Sequence, residues 1–146
     1  MEYQREHAAD VMDEIKPLLQ KHWHEIAHFP DVPLDPDYDA YLRAEQAGKL
    51  RVFTARSGLA LVGYGVFFIG NLHYKSTPIA TQDILFLSPE HRGIAGVRLI
   101  RFCDRMLKAD GIRKVYHHVK PAKVDFSRVL RHEGYELVDH VWARSL

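Results

Sequence analysis

The stretch that most restricts how this chain can fold is Asp83 to Ile100, DILFLSPEHRGIAGVRLI. An apolar run that reads as a strand enters a turn holding Gly93 and Gly96, and an amphipathic helix follows at once. Glycine lets backbone amides approach a ligand closely, and the first amides of a helix have no partner inside it. The helix dipole adds partial positive charge at the same end, and Arg92 adds a full one. Chemically this is an anion site suited to a pyrophosphate. No Gly-Lys-Ser/Thr closes the loop, so it is not a Walker A motif. It is not a dinucleotide fingerprint either, because GxGxxG is absent and no acidic residue follows at the ribose-binding distance. Taken alone, the pattern fits a bare tight turn equally well.

The remainder of the chain reads as a mixed α/β frame. Glu2 to Glu6 suggests a short first strand, and Asp10 the start of a helix. Val11, Ile15, Leu18, Leu19, Trp23 and Ile26 recur at helical spacing, with Pro17 expected to kink or split the helix. Phe29 to Pro36 is a loop. Asp35 as cap and Pro36 at the first helical position open a second helix that stops at Gly48. Leu50 to Arg56 and Leu59 to Phe68 read as strands joined at Ser57-Gly58, and Ala80 to Leu87 as a third strand ended by Pro89. From Gly96 the period is helical, with Leu99, Ile100, Cys103, Met106 and Leu107 as its apolar stripe and Gly111 as its stop. Lys114 to Val119 is a further strand, and Asp125 caps a short helix ending at Gly134. Tyr135 to Arg144 alternates as a closing strand. The expected order is β-α-α-β-β-β-α-β-α-β, one domain over residues 1–146.

Composition narrows the function classes. At 146 residues the chain supports one core, and 47% hydrophobic with 27% charged residues is ordinary for a globular protein. The longest apolar run, Leu59 to Leu72, is broken by Gly63, Gly65 and Gly70, so no membrane span is expected. No secretory signal is visible, and a single cysteine, Cys103, suits a reducing compartment, so a cytoplasmic location is expected. A formal net charge of +1 gives no general reason to bind nucleic acid or an anionic membrane. Ten histidines raise the question of a metal. His24 and His28 are four apart, but there is no HExxH, no paired-cysteine spacing and no third ligand. They read as polar histidines around a helix end, and no metal is expected.

The string Leu87-Ser88-Pro89-Glu90-His91-Arg92-Gly93 resembles the V-x-P-x-Y-R-G segment of the GNAT N-acetyltransferases. In that family the segment leads into an Arg/Gln-x-x-Gly-x-Gly/Ala loop around the pyrophosphate of coenzyme A. Gly134-Tyr135 is similar to the family's Gly-Phe after a short helix, and Gly111 to the glycine closing its long helix. The element order matches over nearly the whole chain, most specifically from Gln82 to Val138. Within the family, the run from Arg113 to Leu130 most resembles small members encoded by bacteriophages.

The resemblance implies an α/β (α+β) GNAT fold. Its central sheet is mixed and mostly antiparallel, helices flank it, and two parallel strands, Thr81–Leu87 and Lys114–Val119, splay apart. It also implies acetyl-CoA as cofactor. Backbone amides near Phe86 and Leu87 would hold the pantetheine arm and the acetyl carbonyl. Ser88, His91, Arg92, Gly93, Ile94, Ala95, Gly96 and Val97 would surround the pyrophosphate. The acceptor, an amine of a small molecule or a protein, would meet Trp23, Glu25, His28 and Tyr38 on the first two helices and their loop. Family members often dimerise, so a homodimer is implied, in the host cytoplasm if the chain is phage-encoded.

Two departures bear on mechanism. After Arg92 the loop reads Gly-Ile-Ala-Gly, one residue short or with Ala95 in place of a glycine. Lys123 and Leu130 stand where many members carry Asn and a catalytic Tyr, and leucine cannot protonate a leaving thiolate. A base for the amine must then come from elsewhere. Strand alternation puts Asp83 on one face with Thr81, Leu85 and Leu87, and makes it the first candidate. His118 and His117 are the next candidates, one of the pair expected to point into the cleft and the other out, and Tyr116 shares a face with His118 and could serve as acid. The alternative is a GNAT-fold protein with weak or lost catalysis that binds or modifies a protein or nucleic acid.

Overall fold

A single five-stranded sheet runs in the order β1 (Glu2–Glu6), β2 (Leu50–Ser57), β3 (Ala60–Ile69), β4 (Ile79–Leu87), β5 (Lys114–Tyr116), in a computed structural model that describes all 146 residues. The first four strands pair antiparallel and β5 joins β4 in parallel. The helices are α1 (Ala8–Ile26), α2 (Tyr38–Gln46), α3 (Ile94–Ala109) and α4 (Ser127–His132), with a 3-10 turn at Pro89–His91. A parallel β4–β5 pair needs a crossover, and α3 supplies it.

Two apolar layers form on opposite faces of the sheet. Val11, Ile15 and Leu18 of α1 pack with Leu50, Val52, Tyr64, Val66 and Phe86. Leu99, Cys103 and Leu107 of α3 pack with Phe53, Ala55, Phe67 and Leu87. Phe53 and Phe67 are completely buried and meet edge to face at 5.8 Å. Truncating either to alanine removes core volume worth about 3–5 kcal/mol. Arg56 ties the α1 layer to the sheet edge. Its guanidinium takes both carboxylate oxygens of Glu6, at 2.7 and 2.9 Å, and reaches Glu14 of α1 at 2.8 Å.

Several boundaries differ from the sequence reading. Helix α1 starts at Ala8, two residues before Asp10, and runs through Pro17 without a break. Pro17 sits on the exposed side, where the amide it lacks is not needed inside the core. Helix α2 begins at Tyr38, capped by Asp37, whose Oδ1 accepts from the Ala40 amide at 2.8 Å. Asp35 and Pro36 therefore belong to the loop. Helix α3 begins at Ile94 and not Gly96, because Gly93, at φ +92°, breaks the chain direction just before it. Strand β5 stops at Tyr116, three residues short of Val119. The expected closing strand over Tyr135 to Arg144 does not form: the chain there has no regular structure and, from Glu136, is wholly exposed.

Candidate cofactor and acceptor site

The site begins where two strands part. Strands β4 and β5 share a ladder only over Ile79–Thr81 and Lys114–Tyr116. At the next pair of residues the side chain of Gln82 replaces the ladder. Its Nε2 donates to the His118 carbonyl at 3.5 Å, and its Oε1 lies 2.6 Å from His117 Nδ1. That contact requires the proton on His117 Nδ1 and leaves Nε2 buried without a partner. The His117 ring stands edge-on to Phe67 and Tyr135, at 5.7 and 5.0 Å. Burial, with His118 adding to it, pushes the imidazole down to about 4, so the ring is neutral at pH 7. His118 and Tyr116 are exposed.

A bulge decides where Asp83 points. The β3–β4 register jumps from Val66–Ile84 to Phe67–Gln82, which leaves Asp83 as the extra residue. Asp83 and Ile84 consequently face the same side. Ile84 packs into the α1–α2 layer, and Asp83 Oδ2 accepts from the Tyr41 hydroxyl of α2 at 2.5 Å. Leu85 and Leu87, expected to share a face with Asp83, belong to the α3 layer. The expected shared face is thus corrected: strict alternation fails at the bulge.

Burial, with the Asp83 carboxylate adding to it, raises the Tyr41 phenol far above its ordinary value, so Tyr41 remains a proton donor. Tyr64 of β3 is fully buried, and its hydroxyl has no partner. Sequence reasoning missed Tyr64, whose only signal was one hydroxyl within the apolar run LVGYGVFF.

The loop after β4 presents free donors. The amides of Arg92 and His91 close the 3-10 turn onto Pro89 and Ser88, and those of Gly96 and Val97 return to the Gly93 carbonyl at 3.0 and 3.4 Å. The amides of Gly93, Ile94 and Ala95 have no acceptor in the protein. The donor set is therefore 93–95; Gly96 and Val97, expected to share it, are committed to the helix. Ala95 keeps a negative φ, since every positive-φ residue is glycine. Its carbonyl accepts from the Tyr3 hydroxyl of β1 at 3.0 Å, which fixes the first turn of α3 to the sheet edge. Three unpartnered amides at the head of a sixteen-residue helix fit a pyrophosphate.

Arg92 is held on two sides. Its Nε donates to the Leu87 carbonyl at 2.9 Å, and one terminal nitrogen lies 2.6 Å from Glu25 Oε2 of α1. Glu25, expected on the acceptor side, thus reaches the anion loop; the α1 C-terminus lies against that loop, not apart from it. One turn earlier, His22 sits 5.2 Å from the Phe86 ring. Burial, then Arg92 and Lys120, lower its pKa to about 4 against the opposing pull of Glu25. Phe86, Leu87 and Ser88 are buried, and the Ser88 amide donates to the Val62 carbonyl at 2.8 Å.

The remaining candidates lie on the outside. Trp23 is half-buried, and His28 is exposed with its ring edge-on to Phe29 at 4.8 Å. Tyr38 already carries a cation, Lys16 Nζ, 5.1 Å from its ring centroid. Leu130, at the position of the family's tyrosine, is 8% exposed and belongs to the core. No three His, Cys, Asp or Glu side chains converge as a metal site, and no helix is long and apolar enough to cross a membrane.

No protein-family model matches the sequence, and no curated protein matches it. Solved structures match it over its whole length. A ribosomal-protein-alanine N-acetyltransferase from Brucella melitensis biovar Abortus 2308 is 16% identical, with a TM-score of 0.73 and 100% of both chains covered. An aminoglycoside acetyltransferase from an uncultured soil metagenomic sample, in complex with sisomicin, is 19% identical at TM-score 0.72, covering 99% of this chain and 96% of that one. AAC(6')-Iy, in complex with the bisubstrate analog CoA-S-monomethyl-acetylneamine, is 21% identical at TM-score 0.70, covering 99% and 97%. The protein has the GNAT acetyltransferase fold.

Proposed function

We propose that the protein is an acetyl-CoA-dependent N-acetyltransferase that acetylates an amine of a small molecule or a protein by direct transfer. The observation that carries this reading is the row of three unpartnered amides, Gly93, Ile94 and Ala95, beside the opening between β4 and β5. Those amides, with Arg92, would hold the pyrophosphate, and the backbone of Phe86 and Leu87 would receive the pantetheine arm. When bound, acetyl-CoA supplies the acetyl group as an activated thioester. Backbone donors held rigid by the β3–β4 ladder suit an oxyanion, because they need no reorganisation when charge develops.

The chain's own residues account for the protons. An amine reaches the site as an ammonium ion and must lose a proton before it attacks. Asp83 takes that proton in this scheme, and Tyr41 orients the carboxylate through its hydrogen bond. Tyr116 and His118, both exposed on and just past β5, serve as the proton source in place of the tyrosine that Leu130 replaces. Asp83 with the face of Trp23 favours a cationic acceptor, and Tyr38 would join them by exchanging Lys16 for the acceptor's cation. His28 flanks the same end of α1. A second reading, a GNAT-fold binder without catalysis, draws support from Leu130, a buried side chain with no ionisable proton at the position where the resemblance puts the acid.

Calorimetry with acetyl-CoA, followed by thiol release with a panel of amines, tests both. Binding with turnover is expected, and Asp83→Asn should retain binding while transfer slows by about 10²-fold or more, the scale of a lost general base. Binding without turnover on any amine selects the second reading. No binding at millimolar acetyl-CoA overturns the first reading.

A further inference from the structure

Three strands each bring one residue to a row on the face of the sheet that carries α1 and α2. Phe68 of β3 stands opposite Thr81 of β4, and Thr81 stands opposite Tyr116 of β5. Residues in register across a sheet share a face, and their side chains rise roughly perpendicular to it. The face is the α1–α2 one. Phe68 also stands opposite Leu50, which packs in that layer, and its ring lies 5.7 Å from the Tyr41 ring of α2. The row is open to solvent: Phe68 and Tyr116 are each 39% exposed, and Thr81 is half-buried between them. Single apolar residues on a surface are ordinary, but here two aromatic rings flank one small side chain in a line.

The row has the dimensions of a slot for one flat ring. Adjacent strands lie about 4.8 Å apart, so Phe68 and Tyr116 rise about 10 Å from each other with Thr81 as the floor. Aromatic pairs favour centroids about 4.5–7 Å apart, and a ring midway between two walls at that separation meets both. A saturated ring of the same carbon count is puckered and gains no such contact with either wall.

Asp83 closes one end of the slot. It lies two residues beyond Thr81 on β4, about 6–7 Å along the strand, and the bulge turns it to the same face. Its carboxylate is exposed, Oδ2 is fixed by the Tyr41 hydroxyl, and no lysine, arginine or histidine pairs with it. An aromatic slot thus ends in a negative charge that the protein itself leaves unneutralised.

We infer that this face takes an arylalkyl amine: its flat ring lies over Thr81 between Phe68 and Tyr116, and its ammonium meets Asp83 across a short alkyl chain. Phe68 and Thr81 act on specificity alone, since neither handles a proton. That the bound amine then serves as the acetyl acceptor rests on the acetyl-transfer reading; that the slot selects a flat ring does not.

Calorimetric titration of phenethylamine against cyclohexylethylamine tests the slot, because the two share charge, chain and carbon count and differ in the flatness of the ring. Both are titrated with and without saturating coenzyme A. Phenethylamine should bind at least about fivefold more tightly, the ratio that aromatic contact with two walls supplies. Thr81→Trp fills the floor of the slot and should weaken phenethylamine by more than about tenfold, with coenzyme A affinity unchanged as the sign of an intact fold. Phe68→Leu keeps apolar bulk beside Tyr41 but removes one wall, and should bring the two amines to within about twofold. Equal affinities in the unaltered protein, or no binding of either amine, overturn the inference. So does a preference for phenethylamine that survives both substitutions. Preferred binding of phenethylamine with no thiol release on any amine upholds the slot and overturns the acetyl-transfer reading alone.

Discussion

Glu25, near the end of α1, lies 2.6 Å from Arg92, the cation that leads into the free amides of α3. The carboxylate offsets the Arg92 charge beside the proposed anion loop. It also anchors α1 to that loop, so the two halves of the proposed site are mechanically joined. The pair is partly exposed, with side chains 37 and 25% accessible, and such pairs are worth about 0.2–1 kcal/mol.

Glu25→Gln should therefore tighten coenzyme A binding by up to about fivefold, since 1 kcal/mol corresponds to roughly that ratio. Arg92→Glu should weaken it by more than tenfold, because it places a fixed negative charge beside the pyrophosphate. Calorimetric titration of both variants checks the sign. Weaker binding by Glu25→Gln would mean that the carboxylate acts by positioning Arg92, not by neutralising it.

Gly63 of β3 lies opposite Leu87 of β4. A Cβ there would lie 2.6 Å from Leu87 Cδ1 and 2.7 Å from the Phe86 carbonyl oxygen. A leucine methyl can move aside, but a ladder carbonyl cannot without shifting β4. Gly63→Ala should cost about 1–3 kcal/mol in denaturant unfolding, as overpacking does. It should also weaken coenzyme A binding, because the displaced residues lead directly into the loop. Gly58→Ala is the control. Its φ of +61° makes it unfavourable by about 1–2 kcal/mol, yet nothing lies near the added methyl, so ligand affinity should hold.

Stability should fall on mild acidification. His117 and His22 are each held near 4, below the 6.5 of an unfolded chain, chiefly by burial. Between those values the unfolded state binds more protons, so stability rises with pH across the window. The contribution is complete above about 6.5, drains away as pH falls toward 4, and is constant below that. Each imidazole accounts for on the order of 3 kcal/mol. Chemical denaturation at a series of pH values should show this slope, and His117→Gln should remove about half of it. An unchanged slope in that variant would place the acid sensitivity elsewhere.

Much of the frame was legible from local pattern. The β2–β3 hairpin, the α3 stripe of Leu99, Cys103 and Leu107, and the Gly111 stop all depend on neighbours within one or two turns. The form of the proposed anion loop was legible for the same reason, since a strand, a positive-φ glycine and a helix are contiguous in sequence. Its donor set was drawn two residues too long, to Gly96 and Val97, because the helix starts at Ile94, just after Gly93 makes the break. Asp83 was named correctly as an ionisable group on β4 but assigned to the wrong face. A bulge is a property of how β4 registers on β3, and no pattern within β4 reveals it.

What the sequence by itself determined is the order of elements through α4 and the strand–glycine–helix form of the turn from Arg92 to Ala95, because both follow from short-range periodicity and backbone freedom. Only the tertiary structure decided that Glu25 meets Arg92 across 67 residues, that Tyr41 meets Asp83 across 42, and that Gln82 bridges the parting of β4 and β5. It also decided that Tyr135 to Arg144, strand-like in pattern, pairs with nothing in its own chain. Alternation gives a segment the capacity to be a strand. Whether it becomes one rests on an edge, and an edge is a feature of the assembled sheet.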